Sequence, residues 1–382
     1  MPFRFSFATA THIIFGENTL QTLPNLELVR GKKILLVTGS NPDRAKKLEA
    51  FFPAGTPFHF YHVSGEPTIQ MIDEGVAQAR DFGCEVVIGL GGGSVIDAAK
   101  AIAAMVPNPG ELMDYLEVIG KGKPLTQKPL TCIAIPTTAG TGAEVTKNAV
   151  IKSLENHVKV SLRSDYMYPV LALVDPVLTH SMPPELTAST GVDALTHLME
   201  TFVSNQSNPF VDMICREGLK RVSRSLVNAF HEGTNNQARA DMAMASMLGG
   251  MALANVKLGA VHGFAGPMGG MFPIPHGTVC ASLMSATMEM NLEVLTAQNG
   301  DLSKYTELAQ ILTGSMQAKA EDGVVWAENL VEELRIPTLA TFGISENDFP
   351  ELVAKAKVSS SMKGNPVKLD ESQLTWILEK SL

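Results

Sequence analysis

Cysteine is scarce in this chain, with four in 382 residues: Cys84, Cys132, Cys215 and Cys280. They lie far apart and form no C-x-x-C pair, which excludes a disulfide framework; they read as buried, reduced thiols of a cytoplasmic protein. Positive charge is also in short supply. Thirty Lys and Arg face 39 Asp and Glu, a formal net charge of -9. No basic surplus exists to displace counterions, so nucleic acid is excluded as a bulk partner, although a local phosphate pocket is not. Long, clean apolar runs are missing too. The opening MPFRFSFATATHIIFG is too broken for a signal peptide. The most apolar region, 242–265, is interrupted by Asn255, Lys257, His262 and several glycines. It is expected to be a buried helix and its following turn, with no membrane span. No fixed-period repeat or low-complexity tract is present.

What is there is an ordinary globular composition, 45% apolar and 18% charged, long enough for about two or three domains. From Lys32 to about Asp175, continuous apolar runs alternate with helical stretches. The runs are ILLVT (34–38), VVIGL (86–90), TCIAIP (131–136) and LALVD (171–175). Such runs suit strands buried on both faces of a parallel sheet, with helices over 69–82 and 95–105 between them. After Pro183-Pro184 strand signals stop, and helices are expected within 185–232, 237–261, 279–298, 303–319 and 322–334. The predicted architecture is therefore an α/β dinucleotide-binding domain over 1–180, joined near 176–184 to an all-α metal-binding domain over 181–382.

The run VVIGL leads into Gly91-Gly92-Gly93-Ser94 and then VIDAAKAIAAM. Strand, glycine turn and helix let backbone N–H groups reach a pyrophosphate at the helix N-terminus. The same residues also suit a tight turn in which Ser94 is an N-cap. A second glycine-rich turn, PTTAGTGAE (136–144), follows another strand, and two such loops can share one crevice. Its threonines equally suit turn and capping roles.

In TGVDALTHLMETF, Asp193 and His197 are four apart and share a helix face. Two readings compete: a metal pair, or a capping box at Thr190 in which Asp193 satisfies the helix start. His262, at the end of an apolar helical run before a glycine-proline break, and His276, in the proline-stiffened FPIPHGT, supply two further imidazoles. Asp plus three His would suit Fe(II) or Zn(II) with an open substrate position. The other histidines (His12, His59, His62, His157, His180 and His231) lack such pairing and read as structural.

At these residues the chain resembles the iron-containing, or group III, alcohol dehydrogenase family over nearly its whole length. The segment 175–200 is similar to one family signature and GAVHGFAGPMGGMFPIPHG to a second, behind GGGSVIDAAK and PTTAGTGAEVT. The resemblance implies a cleft between the two domains and a metal held by Asp193, His197, His262 and His276. It implies cofactor contacts at Gly92, Gly93, Ser94, Asp97, Thr137, Thr138, Thr141 and Lys159, and a homodimer or a multiple of one. Two departures stand out. Many relatives carry a second histidine, HGxAH, where this chain has Gly266. NAD-preferring relatives often carry an acidic residue after the first strand, where this chain has Gly39-Ser40-Asn41. The missing charge favours NADP(H) over NAD(H), with Asp43 as a possible substitute acid.

The expected reaction is hydride transfer between nicotinamide and a small alcohol or carbonyl, with the metal as Lewis acid. Relatives handle primary alcohols, diols, hydroxy acids and keto acids; Phe264 and Met268 read as core more than pocket lining. Two rivals remain at this point. One is a dehydroquinate-synthase-like lyase, for which Lys147, Lys152, Lys159 and Arg163 would be the substrate-binding cluster. The other is a non-catalytic nucleotide sensor.

Overall fold

The computed structural model describes residues 4–156 and 158–382; His157 lies outside the described residues. The chain forms two compact units. One comprises Thr9–Thr138 and Gly142–His180; the other comprises Ala139–Thr141 and Ser181–Leu382 with an N-terminal stretch ending at Ala8.

The first unit holds eight strands: β1 (His12–Phe15), β2 (Ile34–Thr38), β3 (Phe58–His62), β4 (Val86–Gly91), β5 (Thr131–Pro136), β6 (Asn148–Ser153), β7 (Val158–Arg163) and β8 (Leu171–Val174). Six make one sheet in the order β1-β8-β5-β4-β2-β3, every pair parallel. The pleat explains the unbroken apolar runs. Leu35, Val37 and Val87 enter one core with Ile72, Val76 and Ile102. Their neighbours Ile34, Leu36 and Ile88 enter another, with Leu20, Leu23 and Leu48. Both faces are covered, so no position is left for polar alternation. Helices α1 (Pro42–Glu49), α2 (Ile69–Phe82) and α3 (Gly93–Met105) supply these covers. Thr68 caps the N–H of Met71 at the start of α2, and Gly83 ends that helix at φ 68°. Strands β6 and β7 form a separate antiparallel hairpin.

The strand order fixes where a ligand belongs. From β2 the chain moves outward to β3; from β4 it moves the opposite way, to β5. The neighbours β2 and β4 therefore flank the topological switch point, and the loops leaving them open a crevice at the strands' carboxyl ends.

The second unit is helical: α4 (Pro184–Val203), α5 (Pro209–His231), α6 (Asn236–Asn255), α7 (Ala260–Met271), α8 (His276–Ala297), α9 (Ser303–Thr313), α10 (Ala320–Glu333), α11 (Phe349–Val358) and α12 (Glu371–Ser381). The expected run 185–232 is two helices, because Asn208 accepts from the N–H groups of Phe210 and Val211 and starts α5. The 242–265 region is also two helices, α6 and α7, with a 97° change of direction between them. Among the described residues no single helix is long and apolar enough to cross a membrane. Phe264 and Met268 are fully buried core residues.

Candidate metal centre and dinucleotide loops

Helix α4 starts at Pro184, so Asp193 stands in mid-helix and the capping-box reading fails. Thr190 uses its hydroxyl on the Leu186 carbonyl instead. Asp193 and His197 sit one turn apart and both are buried. His262 departs from expectation: it lies in the first turn of α7, not at the end of a run. That helix continues through Pro267, and Gly266 allows this because it has no Cβ to meet the proline ring. His276 is the first residue of α8, capped by Pro275, and not part of a loop. Gly277 seats this helix end. A Cβ there would stand 1.9 Å from the Ser189 carbonyl oxygen of α4.

These elements bring the four residues together. Asp193 Oδ1 lies 3.6 Å from His197 Nε2, 3.4 Å from His262 Nε2 and 3.7 Å from His276 Nε2. Ligand atoms on a tetrahedral ion with bonds of about 2.1 Å stand roughly 3.4 Å apart, so this donor set fits a divalent cation such as iron or zinc. Electrostatics agree. Burial would raise the Asp193 carboxyl, but the surrounding imidazoles overcome this and hold it well below the usual carboxylate range. Burial takes His197 down to about 3, the neutral form a metal needs. For His262 and His276 burial also acts downward, but neighbouring anionic groups win and raise both.

Two residues here were given no part in the site by the sequence. Glu200, one turn beyond His197 on α4, accepts from His262 Nδ1 at 2.7 Å and from the N–H of Val261 at 2.8 Å. A carboxylate can only accept, so Nδ1 carries a hydrogen and Nε2 is the nitrogen left to face a metal. Cys280 is a buried, free thiol, as expected, but it borders the centre. Its sulfur lies 3.7 Å from Asp193 Oδ1 and 3.8 Å from His262 Nε2. Burial would raise that thiol, but the two imidazoles of His262 and His276 outweigh it and hold it below its ordinary value.

In the α/β unit, Gly92 and not Ser94 is the N-cap of α3, with Ser94 inside the first turn. Close packing explains Gly91, whose Cβ would come 2.6 Å from Val95 Cβ. The turn Gly39-Ser40-Asn41 leaves β2, so it and Gly92-Gly93-Ser94 occupy the two sides of the switch point. Asn41 caps α1 through Asp43 N, and the Asp43 side chain is exposed. Thr137 N bonds the Gly91 carbonyl, and Thr138 packs beside Gly92, so the two glycine-rich turns adjoin. Asp97 is spoken for: one oxygen accepts from Val150 N and the other pairs with buried Lys100. Lys159 on β7 is paired with Glu66. Thr141 groups with the helical unit. Arg44 was missed in the sequence. From α1 it donates to Thr137 Oγ1 at 2.9 Å, putting a guanidinium between the loops after β2 and β5.

Each member of the basic cluster required by a lyase reading already faces a carboxylate. Lys147 pairs with Asp165, Lys152 and Lys159 with Glu66, and Arg163 with Glu117. Of the remaining histidines, His59, His62 and His231 each bond a single side chain (Gln78, Thr38 and Glu333).

The glycine turns at the sheet's switch point suit a dinucleotide, and the Asp and three His of the helical unit suit a divalent metal, as in a metal- and nucleotide-using enzyme. Comparison with known proteins makes this specific. The model for iron-containing alcohol dehydrogenase matches residues 10–176, and that for the C-terminal part of the Fe-containing alcohol dehydrogenase family matches 187–382. Long-chain-alcohol dehydrogenase 1 of Geobacillus thermodenitrificans is 34% identical over 98% of this chain and 96% of its own. The crystal structure of a 1,3-propanediol oxidoreductase superposes with a TM-score of 0.90 at 29% identity, covering 100% of both chains. Sulfoacetaldehyde reductase from Bifidobacterium kashiwanohense, solved in complex with NAD+, gives 0.89 at 27% identity over 99% of each. This chain belongs to the iron-containing alcohol dehydrogenase family. It is an oxidoreductase of alcohols and aldehydes.

Proposed function

We propose that the chain interconverts a small alcohol and its carbonyl partner using NADP(H) in preference to NAD(H), with Asp193, His197, His262 and His276 as ligands of a divalent metal. The observation that carries this reading is the convergence of three imidazole nitrogens within 3.7 Å of one Asp193 oxygen. When bound, the metal supplies Lewis acidity at the substrate oxygen and the nicotinamide accepts or returns hydride.

The chain's own groups do the rest. Asp193 offsets positive charge at the centre, and Glu200 fixes the His262 ring and its tautomer. Gly92, Gly93 and Ser94 present backbone N–H groups to a pyrophosphate at the start of α3, with Thr137 and Thr138 alongside. Thr141, Asp97 and Lys159 are further contacts implied by family likeness; for the last two, the ion pairs with Lys100 and Glu66 point to shaping the site more than to direct bonds. Preference for NADP(H) is supported by Gly39, which places no anion beside the adenosine ribose, by Ser40, and by the guanidinium of Arg44 nearby. Asn41 contributes by capping α1. A reducing, cytoplasmic setting is supported by four free, buried cysteines. Self-association, as a homodimer or a multiple of one, is supported by the exposed Phe5, Phe210 and Met213.

The test is nicotinamide absorbance in metal-stripped protein mixed with NADPH or NADH and a panel of small aldehydes, with Fe(II) or Zn(II) added back. Metal-dependent oxidation, faster with NADPH, is expected. Faster turnover with NADH overturns the cofactor preference alone. Tight dinucleotide binding with no turnover of any carbonyl overturns the reading.

A further inference from the structure

We propose that Cys280 is itself a metal-binding residue of this centre, joining the carboxylate and imidazoles as a thiolate and shifting the site from iron toward zinc. The inference rests on the metal reading above and adds a donor to it.

Three observations carry it. First, single donor atoms of Asp193, His262, His276 and Cys280 all lie within 4.8 Å of one another, so the sulfur shares the point on which the carboxylate and two of the imidazoles converge. Second, the spacings suit sulfur. With a metal–sulfur bond of about 2.3 Å, sulfur and a neighbouring N or O ligand stand roughly 3.1–3.8 Å apart on a five-coordinate ion. The observed distances are 3.7 Å to Asp193 Oδ1 and 3.8 Å to His262 Nε2. Third, Cys280 follows His276 by four residues on α8, so both side chains leave the same helix face. It has no solvent exposure.

The other cysteines behave differently. Cys84 donates to a strand carbonyl, Cys215 meets the Thr201 hydroxyl, and Cys132 lies in the apolar core under the sheet. Only Cys280 points its sulfur at a carboxylate and an imidazole. Binding breaks the S–H bond, releases that proton to solvent and forms the metal–sulfur bond, with no change of oxidation state. A thiolate is a softer ligand than carboxylate or imidazole, and it favours zinc over ferrous iron. Together with Asp193 it would cancel the ion's double charge.

The experiment is an anaerobic titration of the metal-stripped, full-length protein with Co(II) alone. Wild type is expected to show visible ligand-field bands together with a near-ultraviolet sulfur-to-cobalt charge-transfer band. Cys280→Ala and Cys280→Ser should keep the visible bands and lose the near-ultraviolet one, and their preference for Zn(II) over Fe(II) should narrow. Visible bands without the charge-transfer band in wild type would overturn the role of Cys280 and leave the metal reading standing. No cobalt binding at all would overturn both. Persistence of the band in a folded Cys280→Ala protein would also refute the assignment. The wild-type spectrum reports sulfur ligation by itself, so the outcome does not depend on either variant folding.

Discussion

Replacing Glu200 by glutamine tests how the metal centre is built. Glu200 is 3% exposed, and its two oxygens serve three donors: Val261 N at 2.8 Å on one, and His262 Nδ1 at 2.7 Å with the His262 backbone N–H at 3.4 Å on the other. Glutamine has the same shape but only one acceptor. Whichever way the amide turns, its NH2 group faces a buried N–H, donor against donor. If the amide oxygen faces Val261, the Nδ1 hydrogen loses its partner, and the ring is free to turn or change tautomer. Losing such an outer hydrogen bond typically weakens metal binding about 10–100-fold, which is about 1.4–2.7 kcal/mol. The assay is chelator competition for Zn(II), run beside thermal melting of the metal-free protein. Affinity should fall by at least about tenfold in Glu200→Gln. If the variant binds zinc as wild type does and only the metal-free melt drops, Glu200 merely caps α7 and the orienting role is wrong.

Gly277→Ala puts a methyl group where the Ser189 carbonyl stands. It should cost about 2–3 kcal/mol and pull His276 away from Asp193, with metal content by elemental analysis falling alongside the melting temperature. Glu144, buried in the α/β unit, has its carboxyl pushed up from 4.5 to about 7 by burial. The folded state therefore holds a proton that the unfolded state has released across that window. This contribution is complete below 4.5 and lost as pH rises to about 7, a decline of about 3 kcal/mol at most. Denaturant unfolding of Glu144→Gln should lack this part of the pH dependence; an unchanged slope refutes the assignment. Gly39→Asp should turn the NADPH-to-NADH ratio of kcat/KM toward NADH by about tenfold or more, on the order of one like-charge contact; an unchanged ratio removes Gly39 from cofactor choice.

The interior of the sheet was legible in the sequence because β2, β4, β5 and β8 are covered on both faces and had to be written as unbroken apolar runs. The edge strands were not. In β3, FHFYH keeps His62 exposed, and β1 begins with exposed His12, so neither stands out from a loop. The hairpin of β6 and β7 alternates with Lys152, Lys159 and Arg163 and hides for the same reason. Asp193 and His197 were legible as neighbours on one helix face, but the settings of His262 and His276 were misjudged. Prolines at 184 and 275 start helices here, where the sequence suggested a later helix start and a fixed loop. The signal for Cys280 was present as His-x-x-x-Cys, the same four-residue spacing as Asp193 and His197. Glu200 and Arg44 gave no signal, since each gains meaning from a partner 62 or 93 residues away.

Every group about Asp193 belongs to the helical unit, while the turns after β2 and β4 belong wholly to the α/β unit. On the proposed assignments, metal ligation and the choice between the two nicotinamide cofactors are therefore written in separate stretches of chain. If residues 39–44 read the adenosine ribose as proposed, a lineage could exchange one nicotinamide for another there while its ligand set stays untouched. On the same proposals, substitution at Cys280 or Glu200 would change metal binding and leave the turns after β2 and β4 as they are. For an engineer, these are two dials rather than one.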